Sequence, residues 1–236
     1  MFGFIGAALG AVGSFISGAV STVGSICSKI GGSIMGGIHS LANGMLRTVV
    51  ADKQPGFFEM IQQITGLFGI GRERPDEMGM KVEQSGEKPE DFDSIQAYID
   101  HLHKDIQVDQ EKLDKLSDMD RVAYGAIGFA LCVKGMEEKC GMELPIDFWK
   151  VASKVVHAGK LSDEGMKHTL DGMKERGIKS AESFSNYMDG KASMEEQMAV
   201  YDSLKEALHK EFPDLSDADL NVKVTNIKDF IEQDKK

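Results

Sequence analysis

Residues 1–51 read MFGFIGAALGAVGSFISGAVSTVGSICSKIGGSIMGGIHSLANGMLRTVVA, and this stretch sets the fold class. Large apolar side chains stand at Ile5, Leu9, Val12, Ile16, Val20, Val23, Ile26, Ile30, Ile34, Ile38, Leu41 and Met45, always three or four apart. That step is the helical period, so one continuous face is apolar. Small residues recur at fours on other faces. One row is Gly6, Gly10, Ser14, Gly18 and Thr22; a second is Gly24, Ser28, Gly32, Gly36, Ser40 and Gly44. Glycine-zipper rows of this kind let helix backbones approach closely, the packing that suits helices in lipid. In water each glycine costs a helix about 1 kcal/mol relative to alanine. The stretch holds 11 of the 26 glycines, so it makes a poor autonomous helix and needs a surface to pack on. In a bilayer unpaired backbone groups are costly enough to enforce helix.

Residues 1–28 carry no charged side chain, and a span needs about 20 apolar residues. Ser28-Lys29-Ile30-Gly31-Gly32 breaks the run into segments near 4–28 and 33–50, which suits a helical hairpin that dips into or crosses a bilayer. No basic residues precede the apolar run and no small-x-small cleavage site follows it, so a secretory signal is not expected. The same Gly/Ala/Ser-rich hairpin also suits tight packing inside a large protein assembly.

Charge divides the chain at the same place. Residues 1–51 contain no Asp or Glu and carry only Lys29 and Arg47, whereas the remainder holds 25 basic and 38 acidic groups. The whole chain, at 236 residues and a net charge of -11, lacks the basic footprint of a nucleic-acid binder. Residues 52–71 form a short amphipathic segment in which Phe57, Phe58, Ile61, Ile64, Leu67 and Phe68 share a helical face. Such a segment is too short to span, and suits either an interfacial anchor or a helix packed on the acidic domain. Residues 72–91, RERPDEMGMKVEQSGEKPED, are charged, hold two prolines and two glycines and lack an apolar period; they read as a flexible linker.

Residues 92–236 read as an acidic helical domain. Phe92, Ile95, Ile99, Leu102, Ile106, Leu113 and Leu116 form a stripe expected to be one helix, interrupted near Asp109-Gln110. Residues 120–139 form the most apolar helix, in which Gly125 and Gly128 indicate close helix approach. Ser117, Ser162 and Ser216 each follow a leucine and precede an aspartate, the arrangement of a helix cap with an acid in the first turn. Ser193 and Glu196 fit a capping box. Gly159, Gly177 and Gly190 suit helix ends, and Pro145 a helix start. The expected architecture is all-α: a Gly-rich N-terminal helical hairpin plus a C-terminal bundle of about seven mostly short helices.

Chemistry is sparse. Cys27, Cys132 and Cys140 are too few for a disulfide scaffold, and Cys132 and Cys140, eight apart on a helix, are too distant to pair. They are expected to be buried thiols. His101 and His103 are two apart and share no helical face, so a zinc pair is not expected. Gly69-Ile70-Gly71 starts a dinucleotide pattern, but Arg74 stands at its third glycine. Asp118/Asp120 and Asp217/Asp219 lack the glycine and glutamate of a calcium loop. No catalytic motif is present, and neither cofactor nor metal is expected. Met136, Met142, Met166, Met173, Met188, Met194 and Met198 are read as core filling, or as an adaptable docking surface.

The expected function is non-enzymatic. The N-terminus would insert in a lipid bilayer, oligomerise through its small-residue rows and form a pore or translocation passage, with the acidic domain for solubility and assembly. The chain would be membrane-associated after delivery or assembly. The alternative is a structural or adaptor component of a large assembly, such as a virion, phage ejection or injection apparatus, with other assembly proteins as partners.

Overall fold

Apolar spacing of three and four becomes helix along the chain. The computed structural model describes residues 12–51, 56–71 and 73–234. Twelve α-helices stand among them: α1 (Val12–Ile30), α2 (Ser33–Ala51), α3 (Phe57–Leu67), α4 (Pro75–Ser85), α5 (Ile95–Asp105), α6 (Gln110–Asp114), α7 (Asp118–Cys140), α8 (Ile146–His157), α9 (Asp163–Glu175), α10 (Glu182–Met188), α11 (Met194–Glu211) and α12 (Asp217–Gln233). A 3-10 turn, Pro89–Asp91, lies between α4 and α5. Among the described residues there is no strand, only an isolated bridge between Glu143 and Ser180. The protein is all-α.

The chain forms two compact units, Met1–Glu138 and Lys139–Lys236, which divide within the last turn of α7. This differs from a division at 51, 71 and 91. The stretch read as a flexible linker is corrected by α4. Pro75 opens that helix, Asp76 and Glu77 stand in its first turn, and Met78, Met80 and Val82 are buried. Two glycines account for its seat. A Cβ on Gly79 would stand 2.0 Å from the Tyr124 carbonyl oxygen, and one on Gly128 would stand 2.0 Å from the Pro75 carbonyl oxygen. The backbones of α4 and α7 therefore touch, and the close approach expected at Gly128 is made; Gly125 faces open space. Charge hid this helix. Asp76 and Lys81 are both 6% exposed, Asp76 taking Arg74 at 2.6 Å and Arg121 at 2.9 Å, and Lys81 taking Glu73 at 2.7 Å.

The stripe from Phe92 to Leu116 is two helices rather than one. α5 ends at Asp105, and Asp109 starts α6 by accepting from the Lys112 N–H at 3.0 Å. A side chain that satisfies a free N–H gives the backbone a local alternative to continuing the helix.

In the second unit local signals set the boundaries. Ser162 accepts from the Gly165 N–H at 3.0 Å and Ser216 from the Asp219 N–H at 3.2 Å. Ser193 and Glu196 form the reciprocal capping box. Gly159, Gly177 and Gly190 close α8, α9 and α10. Trp149, Phe148 and Phe184 anchor the core, the two phenylalanines edge-to-face at 5.6 Å. α9 packs along α11, where Gly172 meets Ser203.

The N-terminal helical pair as candidate functional site

α1 and α2 meet at Gly31 and Gly32, whose φ angles of +73° and +98° suit residues without a Cβ. The two helices pack on each other. Ala19, Val23, Ile26 and Ile30 of α1 are buried, as are Met35, Ile38, Leu41, Ala42, Met45, Leu46 and Val49 of α2. Burying a large aliphatic side chain contributes about 2 kcal/mol, against about 1 kcal/mol lost at a helical glycine. Packing, not propensity, therefore holds these helices.

The small residues are not all at interfaces. Gly6 and Gly10 lie outside the described residues. Ser14, Ser28, Gly36 and Ser40 are exposed, Gly18, Gly24 and Gly44 are half-buried, and Gly32, though exposed, lies against Glu90, where a Cβ would stand 2.6 Å from Oε2. Ser14, Ser17, Ser21, Ser25 and Ser28 make a serine stripe along the outside of α1, at steps of three and four. Gly36 faces open space. Lys29 and Arg47, also exposed, are the charges of the pair.

The glycines that do make close contacts face the rest of the first unit. A Cβ on Gly18 would stand 2.0 Å from Met119 Sδ at the start of α7, and one on Gly37 would stand 3.1 Å from Lys134 Cε. At Gly24 a Cβ would make only an ordinary contact with α2, 3.5 Å from His39 Nε2. The polar fastenings are few. Thr22 Oγ1 donates to Asp120 Oδ1 at 3.2 Å. Glu90 Oε1 accepts from the Ile34 N–H at 2.6 Å and from Ser33 Oγ at 3.0 Å, and so caps α2 across 56 residues of chain. Burial opposes the charge of Glu90, but the hydrogen bonds from Ile34 and Ser33 win and hold its carboxyl below the ordinary value. A carboxylate at a helix N-terminus also meets the positive end of the dipole.

The face made by residues 56–71 is core in this fold. Phe57, Phe58, Ile61, Ile64 and Phe68 are buried, and Leu67 alone of the six is exposed. Phe58 stacks on Phe129 at 4.8 Å. The stripe thus belongs to the packed-helix reading, and as folded it presents no free interfacial anchor. Gly69 and Gly71 close α3: the Gly69 and Ile70 N–H groups donate to the Gly66 and Thr65 carbonyls.

Reactive groups are muted. All three cysteines are free and buried. Burial pushes Cys27 and Cys140 up to about 11 and Cys132 up to about 12, so each stays a thiol at neutral pH. One titratable cluster joins Glu73, Lys81 and His103, where Lys81 Nζ and His103 Nδ1 share Glu73 Oε1. It pairs the buried Lys81 with a carboxylate. Among the described residues no set of side chains could hold a metal ion, and no helix is long and apolar enough to cross a membrane.

Sequence reading located the break between α1 and α2 and part of the buried stripe: Val23, Ile26, Ile30, Ile38, Leu41 and Met45 are buried, Ile16, Val20 and Ile34 are half-buried, and Ile5 and Leu9 lie outside the described residues. It missed Glu90 and Asp120, because both stand far along the chain and neither carries a local pattern.

No known protein family, no curated protein and no solved structure matches this chain.

Proposed function

We propose that the chain is a non-enzymatic membrane-active protein. The α1–α2 pair leaves its seat, and residues 1–51 enter a lipid bilayer, self-associate and form a pore or translocation passage. The acidic helices keep the chain dissolved and carry assembly contacts, and the protein is membrane-associated only after delivery or assembly. The observation that supports this reading is the two-faced construction of α1 and α2. Their apolar stripe is buried, their outer face among the described residues is serine and glycine with no acidic group, and Asp120 and Glu90, from outside the pair, fasten them by hydrogen bonds. On release the stripe turns to lipid and the small-residue face to further copies, where close backbone approach is favoured.

One observation favours a second reading. No described helix is long and apolar enough to cross a membrane, and an outer face of serines packs as readily on protein. In that case the pair lines or plugs a channel within a virion, ejection or injection apparatus.

Vesicle flotation with entrapped-dye release separates the two, using the full chain and its Ser21→Asp/Ser25→Asp variant. Both serines are exposed in the folded protein, so the variant folds. Each charge near a bilayer centre costs at least about 2.5 kcal/mol, so flotation and leakage should be lost. A parent that neither floats nor leaks at neutral or acidic pH removes the membrane reading; a variant that leaks like the parent removes insertion of this face.

A further inference from the structure

The methionines of the acidic helices separate into two classes. Met142, Met166, Met173 and Met188 are at most 2% exposed and fill core. Met194 is 80% exposed and Met198 is 63% exposed, one turn apart at the start of α11. Val222 of α12 is 58% exposed. Tyr201 Oη donates to Asn221 Oδ1 at 2.7 Å, which joins the two helices beside these residues. A single exposed apolar residue is ordinary, but Met194, Met198 and Tyr201 recur at helical spacing on one face of α11, and such a row marks a surface built for contact. Methionine suits such a surface because an unbranched thioether reshapes to fit its partner.

Charge names the partner. Between Met194 and Val222 stand eight Asp or Glu residues and two lysines, and of the acids Glu196, Glu206, Glu211, Asp217 and Asp219 are engaged by Ser183, Arg176, Ser162, Lys205 and Ser216. Both lysines are engaged within the fold, Lys205 with Asp217 at 3.3 Å and Lys210 with Glu206 at 4.0 Å. Exposed Glu195 and Asp202 lie three and four residues from Met198, on its side of the helix. An apolar strip flanked by carboxylates is complementary to a helix with one apolar and one basic face, and mismatched to an acidic peptide or an anionic lipid surface.

We propose that Met194, Met198 and Tyr201 form a docking strip for a basic amphipathic helix, with Glu195 and Asp202 orienting it. The site is distinct from the α1–α2 pair and stands whether or not that pair enters membranes.

The test uses the full chain and an 18-residue helical peptide of leucine and lysine, its leucines at the helical period. Binding is followed by fluorescence anisotropy of the labelled peptide and by the 13C methyl signals of the methionines. The peptide should shift the Met194 and Met198 methyls and leave the buried ones in place. Met194→Ser/Met198→Ser should weaken binding about tenfold. Glu195→Gln/Asp202→Asn should weaken it several-fold and flatten its salt dependence. All four positions are exposed, so the variants should keep the parent's circular dichroism and unfolding midpoint. Equal affinity for the parent and the methionine variant would mean mere adsorption to an acidic protein and would overturn the proposal. So would a leucine–glutamate peptide that binds equally well. Methyl shifts that appear with protein concentration alone, and vanish in the methionine variant, would make the occupant a second copy and also overturn it.

Discussion

α2 and α12 are both long helices of this chain, and they begin in opposite ways. α12 opens on its own Ser216, with Asp217 and Asp219 in its first turn. α2 follows a glycine, has no acid in its first turn, and takes its cap from Glu90, 56 residues further on. The same contrast runs through the regions around them. α9 and α11 carry their own serine caps. The α1–α2 pair is held by a buried apolar stripe and by side chains from elsewhere in its unit. A helix whose ends are satisfied locally keeps them satisfied wherever it goes. One capped from a distance keeps its cap only while docked, which is the construction expected of a segment that changes partners.

The largest effect should come from the seat itself. Gly128→Val puts a side chain into the Pro75 carbonyl and should destabilise the first unit by about 3 kcal/mol or more, read as a lower urea midpoint and lost amide protection in α4. Unchanged protection would mean that α4 and α7 do not touch backbone to backbone. A smaller pair of effects contrasts the two kinds of cap. Ser216→Ala should cost about 1 kcal/mol and speed amide exchange in the first turn of α12. Glu90→Gln should speed exchange at Ile34 and along α1 and α2, although the altered residue lies in neither helix. If it affects only residues near 90, the distant cap is not holding the pair.

Acid sharpens the same contrast. Glu90 is held below its ordinary value of 4.5, so its contribution is complete above that pH and is lost as pH falls through the depressed value. It faces Ser33 and the backbone of Ile34, with the Tyr98 hydroxyl on α5 close enough to feel its charge. His101 behaves oppositely. Burial opposes its charge, but Glu87 and Asp105 raise it above 6.5. Its clasp is complete below that value and is lost as pH rises through the raised one. Exchange in α2 should therefore quicken in strong acid and not between about pH 5 and 6.5. Loosening within that mild range would place the trigger elsewhere.

The smallest effect belongs to Gly36→Ala. The position is exposed with open space around it, so alanine should stabilise α2 by about 0.5–1 kcal/mol. A loss would show that Gly36 makes a contact in the folded protein.

What could be read beforehand follows the same division. Ser162, Ser193 with Glu196, Ser216, Gly159 and Gly177 act within a few residues of themselves, so their roles were legible in order along the chain. The break at Gly31–Gly32 was legible for the same reason. α4 was not, because its apolar positions Met78, Met80 and Val82 have no helical period, and its charges are buried as pairs with Arg121 and Glu73. The small-residue rows were visible as rows, but which members meet a neighbour depends on Met119, against Gly18, and Glu90, against Gly32, which only the fold brings there. Counting glycines could not separate Gly18, which is covered, from Gly36, which is open.

The central claim is that α1 and α2 are a releasable pair. Thr22 and Asp120 touch across their seat, so a Thr22→Cys/Asp120→Cys variant joined by a short, reducible thiol cross-linker provides a reversible lock. Dye release from vesicles should be abolished when the new cysteines are cross-linked and restored to the parent's level on reduction. A locked protein that leaks as fast as the parent would show that the pair does not leave its seat to act.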